Sequence, residues 1–114
     1  VSTERRVKLR GVLAHTASSA SIGADGSLVV ELYDFSPEAH KCLGNDVAFL
    51  LHVGPAGKDE ALKLLVPSAR PASASEADDL LLHAMQERFA DYYDVERWLG
   101  DEGIPFRKEF DSWA

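Results

Sequence analysis

The chain has 114 residues, of which 46% are hydrophobic and 27% charged. That length suits a single domain, and the hydrophobic share is that of a globular chain and not an intrinsically disordered one. The excess of 19 acidic over 12 basic residues gives a net charge of −7, which argues against non-specific nucleic-acid binding.

The longest apolar run, Val47-Ala48-Phe49-Leu50-Leu51, is far shorter than the roughly 20 residues that cross a bilayer, so no membrane span is expected. After Arg5 and Arg6 the sequence reads Val-Lys-Leu-Arg-Gly, too charged for the apolar heart of a signal peptide. Cys42 is the lone cysteine, so no internal disulfide can form and a reducing, cytoplasmic setting is expected. Abundant Ala, Gly, Asp and Arg beside one Asn and two Ile suggest a GC-rich bacterial genome.

In chain order, Val7 to Leu13 alternates apolar and charged residues, the mark of a half-buried strand. Thr16–Ser21 is rich in Ala and Ser and reads either as a continuation of that strand at a sheet edge or as loop. Gly23-Ala24-Asp25-Gly26 is a turn signal. Leu28 to Phe35 is a strand with Leu28, Val30 and Leu32 on one face, and it closes an antiparallel hairpin with the first. Ser36-Pro37-Glu38 starts a short helix that Gly44 ends.

Asp46 to Val53 is apolar on both faces and belongs in the middle of the sheet. Gly54-Pro55-Ala56-Gly57 breaks it, and Lys58 to Val66 follows as a helix burying Ala61, Leu62, Leu65 and Val66. Pro67 to Ser75 is an exposed loop. Its end, Ser73-Ala74-Ser75-Glu76, fits a capping box in which Ser73 caps and Glu76 reaches back to the cap's N–H. The helix over 76–91 is marked by Leu81, Ala84, Met85, Arg88 and Phe89 at helical spacing. Asp91 or Asp94 caps a further helix, Val95–Glu102, which Gly103-Ile104-Pro105 closes. Phe106 to Trp113 is the last strand.

The order β-β-α-β-α-α-α-β predicts one α+β domain over residues 1–114: a mostly antiparallel four-stranded sheet with three to four helices packed on one face.

No motif assigns a reaction. The glycines form no phosphate-cradling loop, and there is no nucleophile elbow. His40-Lys41-Cys42 with His52 has suitable zinc-ligand types, but residues two apart on a helix point about 200° apart, so no metal or cofactor is expected. Cys42 near a helix C-terminus gains no thiolate stabilisation there and reads as an inert, buried thiol. Glu31, Asp34 and Asp46 read as solvated strand and cap carboxylates.

The charge is unevenly placed. Residues 1–75 hold eight acidic and eight basic side chains, whereas residues 76–114 hold eleven and four, so the whole −7 falls in the last third. Seven of the ten aromatics lie there too. The expected function is therefore a non-enzymatic module that binds a basic protein partner through Asp91, Tyr92, Asp94, Asp101, Phe110 and Trp113. The alternative is a small enzyme or ligand-binding protein with a pocket using His40, His52, Asp34 or Asp46. A third expectation is homo-oligomerisation through a strand edge served by Phe110 and Trp113.

Overall fold

The computed structural model describes residues 5–9, 16–34 and 47–112. Its elements are β1 (Arg5–Lys8), β2 (Thr16–Ile22), β3 (Leu28–Asp34), β4 (Val47–Val53), α1 (Pro55–Leu65), α2 (Ala74–Arg88), α3 (Tyr92–Glu102) and β5 (Arg107–Ser112). Among the described residues the sheet has five strands, all antiparallel, in the order β1-β2-β3-β4-β5.

The α+β class and the antiparallel sheet stand, but the strand count is five and not four. The extra strand is Thr16–Ile22, which pairs with β1 on one side and β3 on the other. Its small side chains leave no apolar alternation to read, although Ser18, Ala20 and Ser21 are all buried. Three helices lie among the described residues. The short helix expected after Ser36 lies outside them.

The β2–β3 hairpin turns over residues 23–27. Gly23 N–H donates to the Ser27 carbonyl at 2.8 Å and Gly26 N–H to the Gly23 carbonyl at 3.0 Å. Gly26 takes φ +84°, a conformation in which a Cβ is strained. Asp25 accepts the Ser27 N–H at 3.0 Å and its hydroxyl at 3.1 Å, and these bonds lower the Asp25 pKa.

The helices cover one face of the sheet. Strand register puts Val7, Leu9, Ala20, Leu28, Val30, Leu32, Leu51 and Val53 on that face, and they share one core with Leu81, Leu82, Met85, Phe89, Val95, Leu99 and Ile104. Truncating one of the larger of these to alanine costs about 2–5 kcal/mol. Of the expected stripe, Leu81, Met85 and Phe89 are buried, Ala84 is half-buried and Arg88 is exposed.

Several local expectations change. β3 forms its hairpin with β2 and not with β1, α2 ends at Arg88 and not 91, α3 begins at Tyr92 and not Val95, and Leu65 and Val66 are only partly buried. Pro55 and Gly57 begin α1 instead of interrupting the chain. Proline fits a first helical position, where its missing N–H has no acceptor to lose, and Gly54 supplies the extended cap. Gly57 lets the first turn of α1 press on β4: a Cβ there would lie 2.8 Å from Val53 Cγ1 and 3.1 Å from Ile104 Cγ2. At α2, Ser73 Oγ accepts the Glu76 N–H at 3.1 Å as expected, but Glu76 reaches the N–H of Ala72 (3.2 Å) and not that of Ser73. Lys58 of α1 donates to Asp78 of α2 at 2.7 Å, both side chains being largely shielded, and fastens the two helices together.

Candidate functional site

The site follows from how α3 is set against the end of the sheet. Asp91 is its N-cap: Oδ1 accepts the Asp94 N–H at 3.0 Å. Asp94 reaches back, its Oδ2 accepting the Ala90 N–H at 3.0 Å while Oδ1 takes Arg97 at 2.7 Å. Two carboxylates thus satisfy orphan donors at the positive end of the helix. A third donor, the N–H of Tyr92, donates a hydrogen bond to Ser18 Oγ of β2 at 3.1 Å in a buried contact. At the far end Gly103 caps with φ +71°, and the Ile104 N–H returns to the Leu99 carbonyl at 3.0 Å.

With its first turn fixed to β2, α3 buries Tyr92, Val95 and Leu99 and turns Tyr93 outward. Beyond it, β5 closes the sheet as an edge strand against β4. Between α3 and β5 lies an open groove of about 360 Å³ lined by Phe49, Tyr92, Tyr93, Glu96, Lys108, Glu109 and Phe110. Tyr93 and Phe110 are 50% and 53% exposed, whereas Tyr92 beneath is 3% exposed. The Phe110 ring lies 5.2 Å from that of Phe49 across the strand pair, and the Tyr92 and Tyr93 rings meet edge-on at 5.4 Å. Lys108 and Glu96 form an ion pair beside them. Burial, with lesser contributions from Glu96 and Tyr93, pushes the Tyr92 phenol up to about 12.

Of the residues singled out for partner binding, Tyr92 and Phe110 line this groove. Asp91 and Asp94 stand at the mouth of α3 and are engaged as caps. Asp101 lies eight residues beyond Tyr93, about 12 Å along the helix axis, and is not brought to the groove. Trp113 lies outside the described residues. Phe49, Glu96 and Lys108 were missed. Phe49 reads as one more apolar residue in a strand apolar on both faces, and Glu96 and Lys108 are ordinary surface charges until β5 folds back. Tyr93 carried a signal, because it falls off the 92/95/99 stripe.

The pocket alternative gathers less. His40 and Asp46 lie outside the described residues, as does Cys42. Asp34 stands opposite Val47, five residues of β4 away from His52, or roughly 16 Å. His52 Nε2 is 2.8 Å from Glu109 Oε1, a diagonal pair across β4 and β5. It borders a separate open depression of about 400 Å³ with Asp25, Ser27, Gly54 and Arg107. The Ser27 hydroxyl there donates to Asp25. Among the described residues no three His, Cys, Asp or Glu side chains are grouped to hold a metal ion, and no helix is long and apolar enough to cross a membrane.

Compared with protein families, curated proteins and solved structures, the chain matches none.

Proposed function

We propose that this chain is a small protein-interaction module that holds a basic protein partner through the Tyr93–Phe110 groove. One observation carries the reading: two large aromatic side chains, each about half exposed, meet at a single groove in the third of the chain that holds the whole net charge. Aromatic side chains in a groove provide the anchors on which interface energy concentrates. A net negative charge on the chain speeds encounter with a basic surface and disfavours acidic ones. The absence of a catalytic motif in the sequence agrees with binding as the function.

The test uses the purified chain as bait against lysate of the source cells, with wild type, Tyr93→Ala and Phe110→Ser in parallel. A stoichiometric basic protein retained by wild type at low salt, released as salt rises and lost from both variants, is the expected result. Equal retention by all three baits contradicts the proposal.

A further inference from the structure

We infer that the partner anchors in the groove through an arginine, its guanidinium stacked on the exposed rings of Tyr93 and Phe110 and donating to the Tyr92 hydroxyl and the Glu96 carboxylate. This rests on the interaction reading above and specifies which side chain fills the groove.

The floor of the groove holds an acceptor without a donor. Tyr92 is 3% exposed, yet its hydroxyl makes no hydrogen bond among the described residues. Every fully buried side-chain oxygen or nitrogen among those residues has a partner. The unbonded hydroxyl therefore keeps a side open to solvent, and Tyr92 lines this groove. Burial and then Glu96 push the phenol up to about 12, so it stays neutral at physiological pH. An occupant that seals the groove must bond to that oxygen or leave it stranded.

Glu96 supplies a second acceptor beside the first. It lies four residues on from Tyr92, on the same face of α3. It meets Lys108 through Oε2 and makes no other hydrogen bond or ion pair among the described residues, so Oε1 can accept a further donor. Two neighbouring acceptors call for one group that carries several N–H donors.

The walls select its shape. Tyr93 and Phe110 are half exposed, and Phe49 backs Phe110 at 5.2 Å. A guanidinium is planar, weakly hydrated and stacks on aromatic faces, whereas the lysine ammonium is a compact, strongly hydrated charge. The arginine stem covers apolar surface on the way in. A planar amide would match the shape but brings no charge. Lys108 opposes a cation, but with Glu96 and Glu109 the ionic lining still sums to one negative charge, on a chain of −7. A second copy could bring an arginine only by joining two chains of −7, which repel.

The test follows the whole isotope-labelled chain by NMR as three blocked tripeptides are added, each to about 20 mM. They are glycyl-arginyl-glycine, its lysine counterpart, and its citrulline counterpart, which keeps the planar shape without the charge. Saturable shifts of the Tyr92, Tyr93 and Phe110 rings are expected with the arginine peptide, at an affinity about tenfold above the other two. Tyr92→Phe, which deletes only the hydroxyl, and Glu96→Gln should each weaken arginine binding by about fivefold. No shift of these rings with the arginine peptide overturns the anchor. Equal affinity for arginine and citrulline overturns the cationic occupant. Unchanged arginine affinity in both variants overturns the placement of the guanidinium. Ring shifts that grow with protein concentration alone, without peptide, overturn the choice of partner in favour of a second copy. Failure of the underlying reading has a different signature, a natural partner whose capture Tyr93→Ala leaves unchanged.

Discussion

The hydroxyl of Ser18 in β2 accepts the backbone N–H of Tyr92, 74 residues later, at 3.1 Å in a buried setting. This bond satisfies a helix-terminal donor and fixes where α3 begins relative to the sheet, and hence where Tyr93 emerges. Removing the hydroxyl leaves that N–H buried without an acceptor. Ser18→Ala should therefore destabilise the fold by roughly 1–3 kcal/mol, read as a lower urea midpoint with an unchanged slope. A variant as stable as wild type would show that water replaces the hydroxyl.

Asp91 and Asp94 have structural duties at the same helix end. Asp91→Ala should cost about 1 kcal/mol and Asp91→Asn clearly less, since the amide oxygen still caps. Thermal unfolding of the two variants checks this order. Charge reversal at Asp91 disturbs folding as well as field, so Asp101, exposed and remote from the cap, is the cleaner site for testing electrostatic attraction.

Two glycines in helices should respond to alanine with opposite sign. At Gly57 the added Cβ would meet Val53 Cγ1 at 2.8 Å, and a β-branched side chain in a packed strand has little room to turn away. Overpacking of about 1–3 kcal/mol outweighs the gain in helix propensity, so Gly57→Ala should destabilise. At Gly100 in α3 nothing lies within 4 Å of the added Cβ. Gly100→Ala should stabilise by roughly 0.5–1 kcal/mol. Denaturant melts of both proteins measure the two signs directly.

The Tyr92 phenol sets an alkaline limit. Its pKa is pushed up to about 12 in the folded chain, against an ordinary value near 10. The unfolded chain thus releases this proton first, and between those two values the folded state binds more protons. Stability contributed by the neutral phenol is complete below pH 10 and lost as pH rises towards 12. Tyr92→Phe should flatten that decline, and ultraviolet titration should show late phenol ionisation that the variant lacks. An unchanged titration would contradict the shift.

Sequence pattern revealed the three described helices, but set the starts of α1 and α3 three residues late, at Lys58 and Val95. Leu81, Met85 and Phe89 recur at helical spacing, Ser73 and Asp91 cap, and Gly103 ends α3 in the left-handed conformation that glycine favours. It revealed β2 poorly, because Ser18, Ala20 and Ser21 are buried without being apolar or large. The groove was legible only in part. Tyr93 departs from the buried stripe of its own helix, but Phe49 and Lys108 join it only because β5 returns to pair with β4 after three intervening helices. No local pattern encodes that return.

The most direct measurement of the interaction reading is calorimetric titration of the captured partner into wild type, Tyr93→Ala and Leu64→Ala, each verified as folded by circular dichroism. Leu64 on α1 is a large apolar side chain 43% exposed, comparable with Tyr93 but outside the groove. The account predicts that Tyr93→Ala weakens binding by about tenfold or more, which is at least about 1.4 kcal/mol, while Leu64→Ala leaves it unchanged. Equal affinity for all three proteins would contradict it.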